Sequence, residues 1–185
     1  AMAYVVGLIA TDGCLYPTGR HISFTSKDKQ LIQTFLQCLG RRVRYSLMRT
    51  RLGRWCYRVQ LGDVRFYRWL ISIGLHPRKS LTLGALAVPD EFALPLVRGL
   101  LDGDGNISNI VHCPTPSTYP DYRYERLWVY FNSASRTHVE WLRDLLQRVL
   151  AIRGFIEVRP ARPPHHAFYR LKFGKRDSVK LLAAL

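Results

Sequence analysis

The sequence predicts an α+β fold built from two similar halves of one chain. Three segments each occur twice and in the same order: an apolar segment that ends in Asp-Gly, an alternating strand followed by an amphipathic helix, and a second strand followed by a helix. Each half is therefore predicted to run helix, hairpin, helix, hairpin, helix. Antiparallel hairpins placed between helices indicate the α+β class.

The first element of each half is a short apolar helix with glycine in its interior. The segment VVGLIATDG at 5–13 returns as VRGLLDGDG at 97–105, and the two copies are aligned by a single offset of 92 residues. Glycine in a helix interior costs about 0.5–1 kcal/mol relative to alanine. Its use at matching positions indicates that something else compensates for this cost.

Close contact between the two helices would supply that compensation. Gly7 and Thr11 lie four residues apart on one helical face, as do Gly99 and Gly103. Small residues at this spacing allow two helix backbones to approach closely, as is best known in membranes. The two halves are therefore predicted to pack through these helices at the centre of the molecule.

Parallel packing of these helices would bring Asp12 and Asp104 side by side at the helix ends. We expect Gly13 and Gly105 to end the helices in the left-handed conformation. Two carboxylates at the negative ends of helix dipoles repel each other unless a cation lies between them. With the last helical carbonyls they form a hard oxygen donor set, which suits Mg²⁺ and the metal-assisted hydrolysis of a phosphodiester.

The second element of each half is a strand followed by an amphipathic helix. The segments at 22–36 and 129–142 share this pattern, and Ser26 and Ser133 are the expected N-caps of the two helices.

A further strand and helix complete each half. The segment at 57–70 resembles that at 169–182, and the larger offset in the second half indicates residues gained at 111–125, where Pro, Ser and Thr predict an extended loop. The halves join near 75–92. We therefore expect an N-terminal unit at 1–88 and a C-terminal unit at 89–185.

The charge of the chain indicates a polyanionic partner. Its 185 residues include 28 Lys and Arg against 13 Asp and Glu, a formal net charge of +15, and the basic residues are spread among aromatic residues along the chain. A basic amphipathic helix or long apolar span that would favour a membrane is not evident. The four cysteines form no C-x-x-C pair, so we expect reduced thiols and an intracellular, soluble protein.

The two Asp-Gly segments resemble the paired motifs of the LAGLIDADG homing endonucleases in their single-chain form. The resemblance implies two pseudo-twofold related αββαββα halves, with the motif helices packed at the centre and a β-saddle on the DNA major groove. It also implies that the last acid of each motif binds the divalent metal, which carries over to Asp12 and Asp104. Asp102 falls at an earlier acid of the motif and is expected to be structural.

The resemblance also implies a basic residue near the cleavage site, just after the first long strand of each half. Lys27 matches this place in the first half, and is expected to assist the attacking water or stabilise transition-state charge. The second half has Ala134 there, flanked by Ser133 and Ser135. That role is vacant or filled from elsewhere, and Lys79 is a candidate substitute.

Strand alternation predicts which side chains would face DNA. Apolar residues such as Ile22, Phe24, Val129 and Phe131 should point to the core, and their polar neighbours should point outward. Arg favours guanine, whereas Gln and Asn favour adenine. The expected DNA-binding residues are His21, Ser23, Thr25, Arg44, Ser46, Arg58, Gln60, Lys79, Arg126, Trp128, Tyr130, Asn132, Arg159, Arg170 and Lys172.

The sequence therefore predicts a monomeric, site-specific double-strand DNA endonuclease that uses Mg²⁺, with Mn²⁺ as a substitute and Ca²⁺ able to bind. Its partner would be double-stranded DNA with a long, specific target site. Two alternatives stay open: a protein of this fold that binds DNA or intron RNA without cleavage, as in splicing or transcriptional control, and a structural or ribosome-associated RNA binder. The second leaves the matching acids unexplained.

Overall fold

A computed structural model describes residues 1–50, 52–115, 117–160 and 166–185. The two halves contain the same elements in the same order, and no helix in the described residues is long and apolar enough to cross a membrane. The first half consists of α1 (Met2–Asp12), β1 (Gly13–Leu15), β2 (His21–Ser26), α2 (Lys29–Leu39), β3 (Tyr45–Arg49), β4 (Trp55–Gly62) and α3 (Val64–Ser72). The second half consists of α4 (Ala93–Asp104), β5 (Gly105–His112), β6 (Tyr124–Ser133), α5 (Arg136–Leu150), β7 (Phe155–Arg159), β8 (Phe168–Phe173) and α6 (Lys175–Ala184).

Each half contains one four-stranded antiparallel sheet, and the two sheets have the same topology. The strand order is β1-β2-β4-β3 in the first half and β5-β6-β8-β7 in the second. The predicted α+β class and the αββαββα order in each half are confirmed.

The alternation expected along the strands sets the inner face of both sheets. Ile22 and Phe24 are fully buried, and so are Val129 and Phe173 in the second half. The ring of Phe24 stacks on Phe35 of α2 with the ring centroids 4.5 Å apart. The helices therefore cover one face of each sheet and leave the other face available to a partner.

The two halves meet where α1 packs on α4 through glycine. A Cβ atom at Gly7 would overlap the Leu96 carbonyl oxygen and lie 2.8 Å from the Leu100 amide nitrogen. A Cβ atom at Gly99 would meet the equivalent atoms of α1, the Tyr4 carbonyl oxygen and the Leu8 amide nitrogen. The contacts of one helix thus repeat on the other, as a pseudo-twofold axis requires.

The same interface fixes the direction of the two helices. A Cβ atom at Gly103 would overlap the side chain of Thr11. Gly7 therefore packs against Gly99, and Thr11 packs against Gly103 one turn further along both helices. Because the contacts advance together along both helices, α1 and α4 run parallel and their C-terminal ends lie together. The packing predicted from the small residues is confirmed.

The conformation expected for the glycines after the two helices is wrong. Gly13 has φ −86° and ψ 155°, and Gly105 has φ −83° and ψ 172°, so both are extended. Glycine is needed there for space, because a Cβ would lie 2.5 Å from Ile9 Cα at Gly13 and 2.7 Å from Leu101 Cα at Gly105. The chain turns directly from helix into strand, with its backbone against the preceding turn.

The expected N-caps are also wrong, by two residues in both halves. Asp28 precedes α2 and Ser135 precedes α5. Ser26 and Ser133 end the preceding strands, and the hydroxyl oxygen of each accepts a hydrogen bond from the amide two residues later, at 3.1 Å in both cases. Each serine thus forms a local side-chain turn between strand and helix, which is a common alternative to capping.

The long hairpin of the second half is more regular than the sequence predicts. The expected loop began at Val111, but β5 continues to His112 and β6 begins at Tyr124. His112 pairs with Tyr124 at the open end of this ladder. The inserted residues thus lengthen the strands as well as the loop.

The halves are joined by residues 73–92, which contain two short 3₁₀ turns at Lys79–Leu81 and Asp90–Phe92. Leu83 and Leu86 of this joining segment are buried. The expected division between residues 88 and 89 falls inside this segment. All four cysteines are free thiols.

Replacing Gly7 by alanine should lower the free energy of unfolding by about 1–3 kcal/mol, because the new methyl group overlaps the backbone of α4. Gly84→Ala is the matched control, since a Cβ there meets no atom within 4 Å. Urea unfolding measures both variants. A Gly7→Ala protein as stable as the control would contradict the backbone contact.

Candidate active site and nucleic-acid interface

The site is built where the two central helices end. Asp12 is the last residue of α1 and Asp104 the last of α4, and both side chains keep an exposed side. The contact between Thr11 and Gly103, immediately before them, holds the two helix ends together. The two acids that the sequence places at equivalent positions therefore share one region of the molecule.

The two carboxylates lie in a similar electrostatic environment. Partial burial and the charge of Asp104 together raise the pKa of Asp12 to about 6, against the opposing charge of Lys79. Burial likewise raises the pKa of Asp104, again opposed by Lys79. The region thus concentrates negative charge that a cation would stabilise.

Lys79 lies beside the two acids and beneath the end of α1. Its side chain is only 6% exposed, and its ammonium group donates to the Gly13 carbonyl oxygen at 2.6 Å and to that of Thr11 at 3.4 Å. Burial lowers the pKa of Lys79, whereas Asp104 and Asp12 raise it. Lys79 is buried outside the two sheets, so its predicted DNA contact stays a prediction that the sheet faces do not support. The joining segment carries it to the helix end instead.

Lys27 lies on the first-half side of the acids. It is exposed in the turn between β2 and α2 and lines an open groove of about 460 Å³. Asp12 and Thr25 line the same groove, and Asp102 and Gly103 close it from the second half. A basic side chain and a carboxylate therefore face one space that is large enough for a substrate group.

The corresponding place in the second half is nearly filled. The cavity beside Asp104 and Ser133 measures about 30 Å³, and Leu83 of the joining segment lines it. Ala134 gives this side no basic group. The site therefore does not follow the pseudo-twofold symmetry of the fold. The joining segment fills the side next to Asp104, whereas the side next to Asp12 is open.

Asp102 has the structural role that the sequence predicts. Its carboxylate accepts from the Tyr4 hydroxyl at 2.8 Å and from Arg98 at 3.0 Å, which ties α4 to α1. Burial and the Asp102 carboxylate together raise the pKa of Tyr4. Asp102 is therefore committed to the helix interface.

The donor set of the site consists of two carboxylates. Among the described residues, no group of three or more His, Cys, Asp or Glu side chains is arranged to hold a metal ion. Two of the carbonyls at the helix ends already accept hydrogen bonds, because Lys79 donates to Thr11 at 3.4 Å and Asn132 donates to Asp104 at 3.2 Å. Two carboxylates suit a cation that keeps most of its water.

The outer face of the first sheet carries polar and basic side chains. Thr25, Arg58 and Ser46 are paired across β2, β4 and β3, so they lie on one face. The remaining residues of this set are His21 at the start of β2, exposed Gln60 on β4, and exposed Arg44 just before β3.

Two members of this face are held by Tyr16, a contact that the sequence does not predict. Ser23 points to this face but is only 4% exposed, and its hydroxyl lies 3.4 Å from that of Tyr16. The expected exposure of Ser23 is therefore wrong. Arg58 also donates to the Tyr16 hydroxyl. The signal available in the sequence was only the position of Tyr16 in the short β1–β2 turn.

The outer face of the second sheet combines cations with aromatic rings. The Lys172 ammonium lies 3.7 Å from the centroid of the Trp128 ring, and the Arg170 guanidinium lies 4.4 Å from that of Tyr130. Arg126 lies between the rings of Tyr124 and Trp128. The predicted residues of this sheet thus form one surface, with its cations held in place by rings.

One acid, Glu157, lies within this cationic surface and was not among the residues predicted to face DNA. Its carboxylate is 2.9 Å from Arg159, 3.4 Å from Lys172 and 3.9 Å from Arg170. Arg170 also donates to the Asn132 side chain at 3.1 Å. Alternation along β7 placed Arg159 on this face, and the same alternation applies to Glu157, two residues earlier.

Known proteins share this architecture. Residues 1–54 match the model of the LAGLIDADG-like domain. A mesophilic variant of the homing endonuclease I-DmoI has a TM-score of 0.60 at 17% identity, over 98% of this chain and 92% of that one. This chain has the LAGLIDADG fold. The resemblance to the single-chain, two-motif form is thereby confirmed.

Other solved LAGLIDADG structures are similar over the whole chain. The homing endonuclease I-WcaI bound to its DNA recognition sequence has a TM-score of 0.64 at 11% identity, over 99% of this chain and 79% of that one. Full-length DUF199/WhiA from Thermatoga maritima has a TM-score of 0.61 at 15% identity, over 100% of this chain and 55% of that one. No curated protein sequence matches significantly.

Several of the I-DmoI structures contain metal as well as DNA. They include complexes with DNA and calcium, with DNA and manganese, and with target DNA in the presence of magnesium. At these identities the likeness shows the fold of the present chain, and its chemistry has to be argued from its own residues.

Asp12→Asn should stabilise the metal-free protein at pH 8 by about 0.5–1 kcal/mol, a value reduced for solvent screening. The wild-type carboxyl is ionised there at a cost, because its pKa of about 6 lies above the unfolded value. The protonated carboxyl thus favours folding below the unfolded pKa, and this stabilisation is lost as the pH rises through about 6.

The same variant tests cation binding. Added Mg²⁺ should raise the melting temperature of the wild type, and Asp12→Asn should lose most of that rise. Asp144→Asn is the control, since Asp144 is an exposed acid of α5 paired with Arg143. A metal-free variant that is less stable than wild type contradicts the charge repulsion. A variant that responds to Mg²⁺ like the control contradicts cation binding at Asp12.

Proposed function

We propose that this protein is a monomeric, site-specific endonuclease that cuts both strands of DNA with a divalent metal ion. The observation that carries the proposal is the meeting of Asp12 and Asp104, one from each half, in a strongly basic protein whose two sheets expose polar and cationic faces. One chain supplies both acids, so a second copy is not needed. The proposed setting is intracellular.

The cation that fits this site is Mg²⁺. Two carboxylates with raised pKa values match an ion that takes one or two protein carboxylates and retains its waters. Manganese should substitute, and calcium should bind. The bound ion would supply an activated water and neutralise charge on the phosphate.

The residues around the acids take separate parts in the reaction. Asp12 and Asp104 hold the cation and orient the scissile phosphate. Lys27 faces the open groove, where its ammonium group can stabilise charge that develops on the phosphate or orient the attacking water. Lys79 offers the same charge from the opposite side, in place of the residue that Ala134 does not provide.

The outer faces of the two sheets form the proposed DNA-binding surface. The first face offers Arg44, Arg58 and Gln60, and the second offers Arg126, Asn132 and Lys172. Arginine can pair with guanine and Gln or Asn with adenine in the major groove, while the remaining cations contact phosphates. Burial of Ser23 and Lys79 removes these two residues from the proposed contacts.

A second candidate is a LAGLIDADG-type protein that binds DNA or intron RNA without cutting it. Two observations favour it: the structural likeness extends to WhiA as well as to homing endonucleases, and the cavity beside Asp104 is nearly filled. The conserved fold is the same in both candidates, so cleavage itself has to be measured.

The deciding experiment is the selection of cleaved sites from a randomised double-stranded DNA library in Mg²⁺, with Ca²⁺ and metal-free incubations in parallel. Cut products with a shared sequence, formed in Mg²⁺, support the endonuclease. Specific binding of duplex DNA or intron RNA with intact strands in every incubation supports the second candidate.

Asp12→Asn and Asp104→Asn should each lower the cleavage rate at least about 100-fold while changing duplex affinity little, because each removes a metal ligand and leaves the sheet faces intact. Lys27→Met should slow cleavage by about 10- to 1000-fold. Single-turnover cleavage and gel-shift affinity measure the two effects separately. Normal cleavage by both aspartate variants would refute the assignment.

Glu157→Gln should strengthen binding to random-sequence duplex DNA by about 3- to 10-fold. It should also steepen the slope of log affinity against log salt by about 1–2. The reason is that Arg159, Arg170 and Lys172 lose their carboxylate partner and can contact phosphates instead. Glu140→Gln, on the exposed face of α5, is the control. Discrimination between the selected site and random DNA should fall. Unchanged salt dependence would show that Glu157 does not keep these basic side chains from contacting phosphates.

A further inference from the structure

The joining segment is attached to the second half by three side chains at the start of α5. The hydroxyls of Ser135 and Thr137 both donate to the Leu83 carbonyl oxygen, at 2.5 and 3.0 Å. Nδ1 of His138 lies 2.9 Å from the Gly84 carbonyl oxygen and therefore carries a proton there. Two consecutive carbonyls of the segment are thus held by one helix end.

The equivalent residues of the first half are used differently. Asp28 caps its own helix by accepting from the Gln30 amide at 2.7 Å. Ser135 occupies the same position before α5, yet its side chain makes no capping hydrogen bond to α5. Its hydroxyl holds the joining segment instead, and the residue is 1% exposed. The start of α5 therefore departs from its own repeat in favour of this contact.

A compact turn connects the held carbonyls to Lys79. The Leu83 amide donates to the Lys79 carbonyl oxygen at 2.8 Å, and the Thr82 amide donates to the same oxygen at 3.0 Å. Arg78, immediately before Lys79, has φ 57° and ψ 30°, a left-handed conformation that costs energy for a residue with a side chain. The backbone on both sides of Lys79 is thus constrained.

We propose that Ser135, Thr137 and His138 are positioning residues for Lys79. They fix the joining segment so that the Lys79 ammonium is held against the end of α1, beside Asp12 and Asp104. The second half thereby supplies its basic group through the connection between the halves, in place of a lysine at Ala134. The catalytic value of this placement rests on the proposed function; the placement itself does not.

The placement is tested first in the metal-free protein, without cleavage. Brief treatment with acetic anhydride, followed by peptide mass spectrometry, gives the acetylation rate of Lys79 relative to exposed Lys27. Wild type should protect Lys79. Ser135→Ala, and Ser135→Ala with Thr137→Val, should raise its relative rate by about five- to tenfold through local opening of the segment.

Two variants serve as controls for this experiment. Ser135→Thr keeps the hydroxyl and should retain protection. Ser72→Ala removes a serine at the end of α3 whose hydroxyl also donates to a carbonyl, that of Trp69 at 2.8 Å, and should leave Lys79 protected. Unchanged labelling in both Ser135→Ala proteins, with melting curves that show folded protein, would overturn the proposal.

Cleavage of the selected site then tests the consequence. Ser135→Ala should slow cleavage in the wild-type background and have less than a twofold effect in Lys79→Met, because a residue that acts through Lys79 adds nothing once Lys79 is gone. Effects that multiply would overturn the positioning role. If wild type does not cut DNA, the proposed function fails while the labelling result stands.

Discussion

The close contact between the backbones of α1 and α4 is the constraint on which the rest of the structure depends. Gly7 and Gly99 allow each helix to touch the main chain of the other, and Gly103 leaves room for Thr11 one turn later. Because the helices approach this closely and run parallel, their last residues are delivered to one place. A side chain at either central glycine would push apart the two helix ends that carry Asp12 and Asp104.

This contact also explains the electrostatics of the site. Loss of water raises the pKa of both acids at the neighbouring helix ends, and the charge of Asp104 also raises the pKa of Asp12. Lys79 offsets part of that cost from beneath α1, where it donates to the Thr11 and Gly13 carbonyl oxygens. The proposed metal ion would therefore share the two carboxylates with an internal ammonium group.

The sequence predicted the repeated elements because their signals are periodic. The alternation that buries Ile22 and Val129, and the small residues that face each other across α1 and α4, follow from side-chain spacing alone. The extended conformations of Gly13 and Gly105 could not be predicted from spacing, since a close approach to Ile9 or Leu101 depends on how sharply the chain turns.

Contacts between distant parts of the chain were also not predictable. Nothing in the sequence near Lys79 shows that its side chain is buried and donates to the carbonyl oxygen of Gly13, 66 residues earlier in the chain. The interplay of Glu157 with its three cations depends on strand pairing, which alternation on one strand does not reveal.

The joining segment bears on how far the two halves can be treated as interchangeable modules. It follows α3 of the first half and is hydrogen-bonded to the start of α5 in the second half. Its Lys79 side chain contacts the end of α1. A chimera that combined the first half of this chain with the second half of a relative would have to bring the matching start of α5 with it. Recombination between LAGLIDADG halves is thus constrained here by the tether as well as by the central helices.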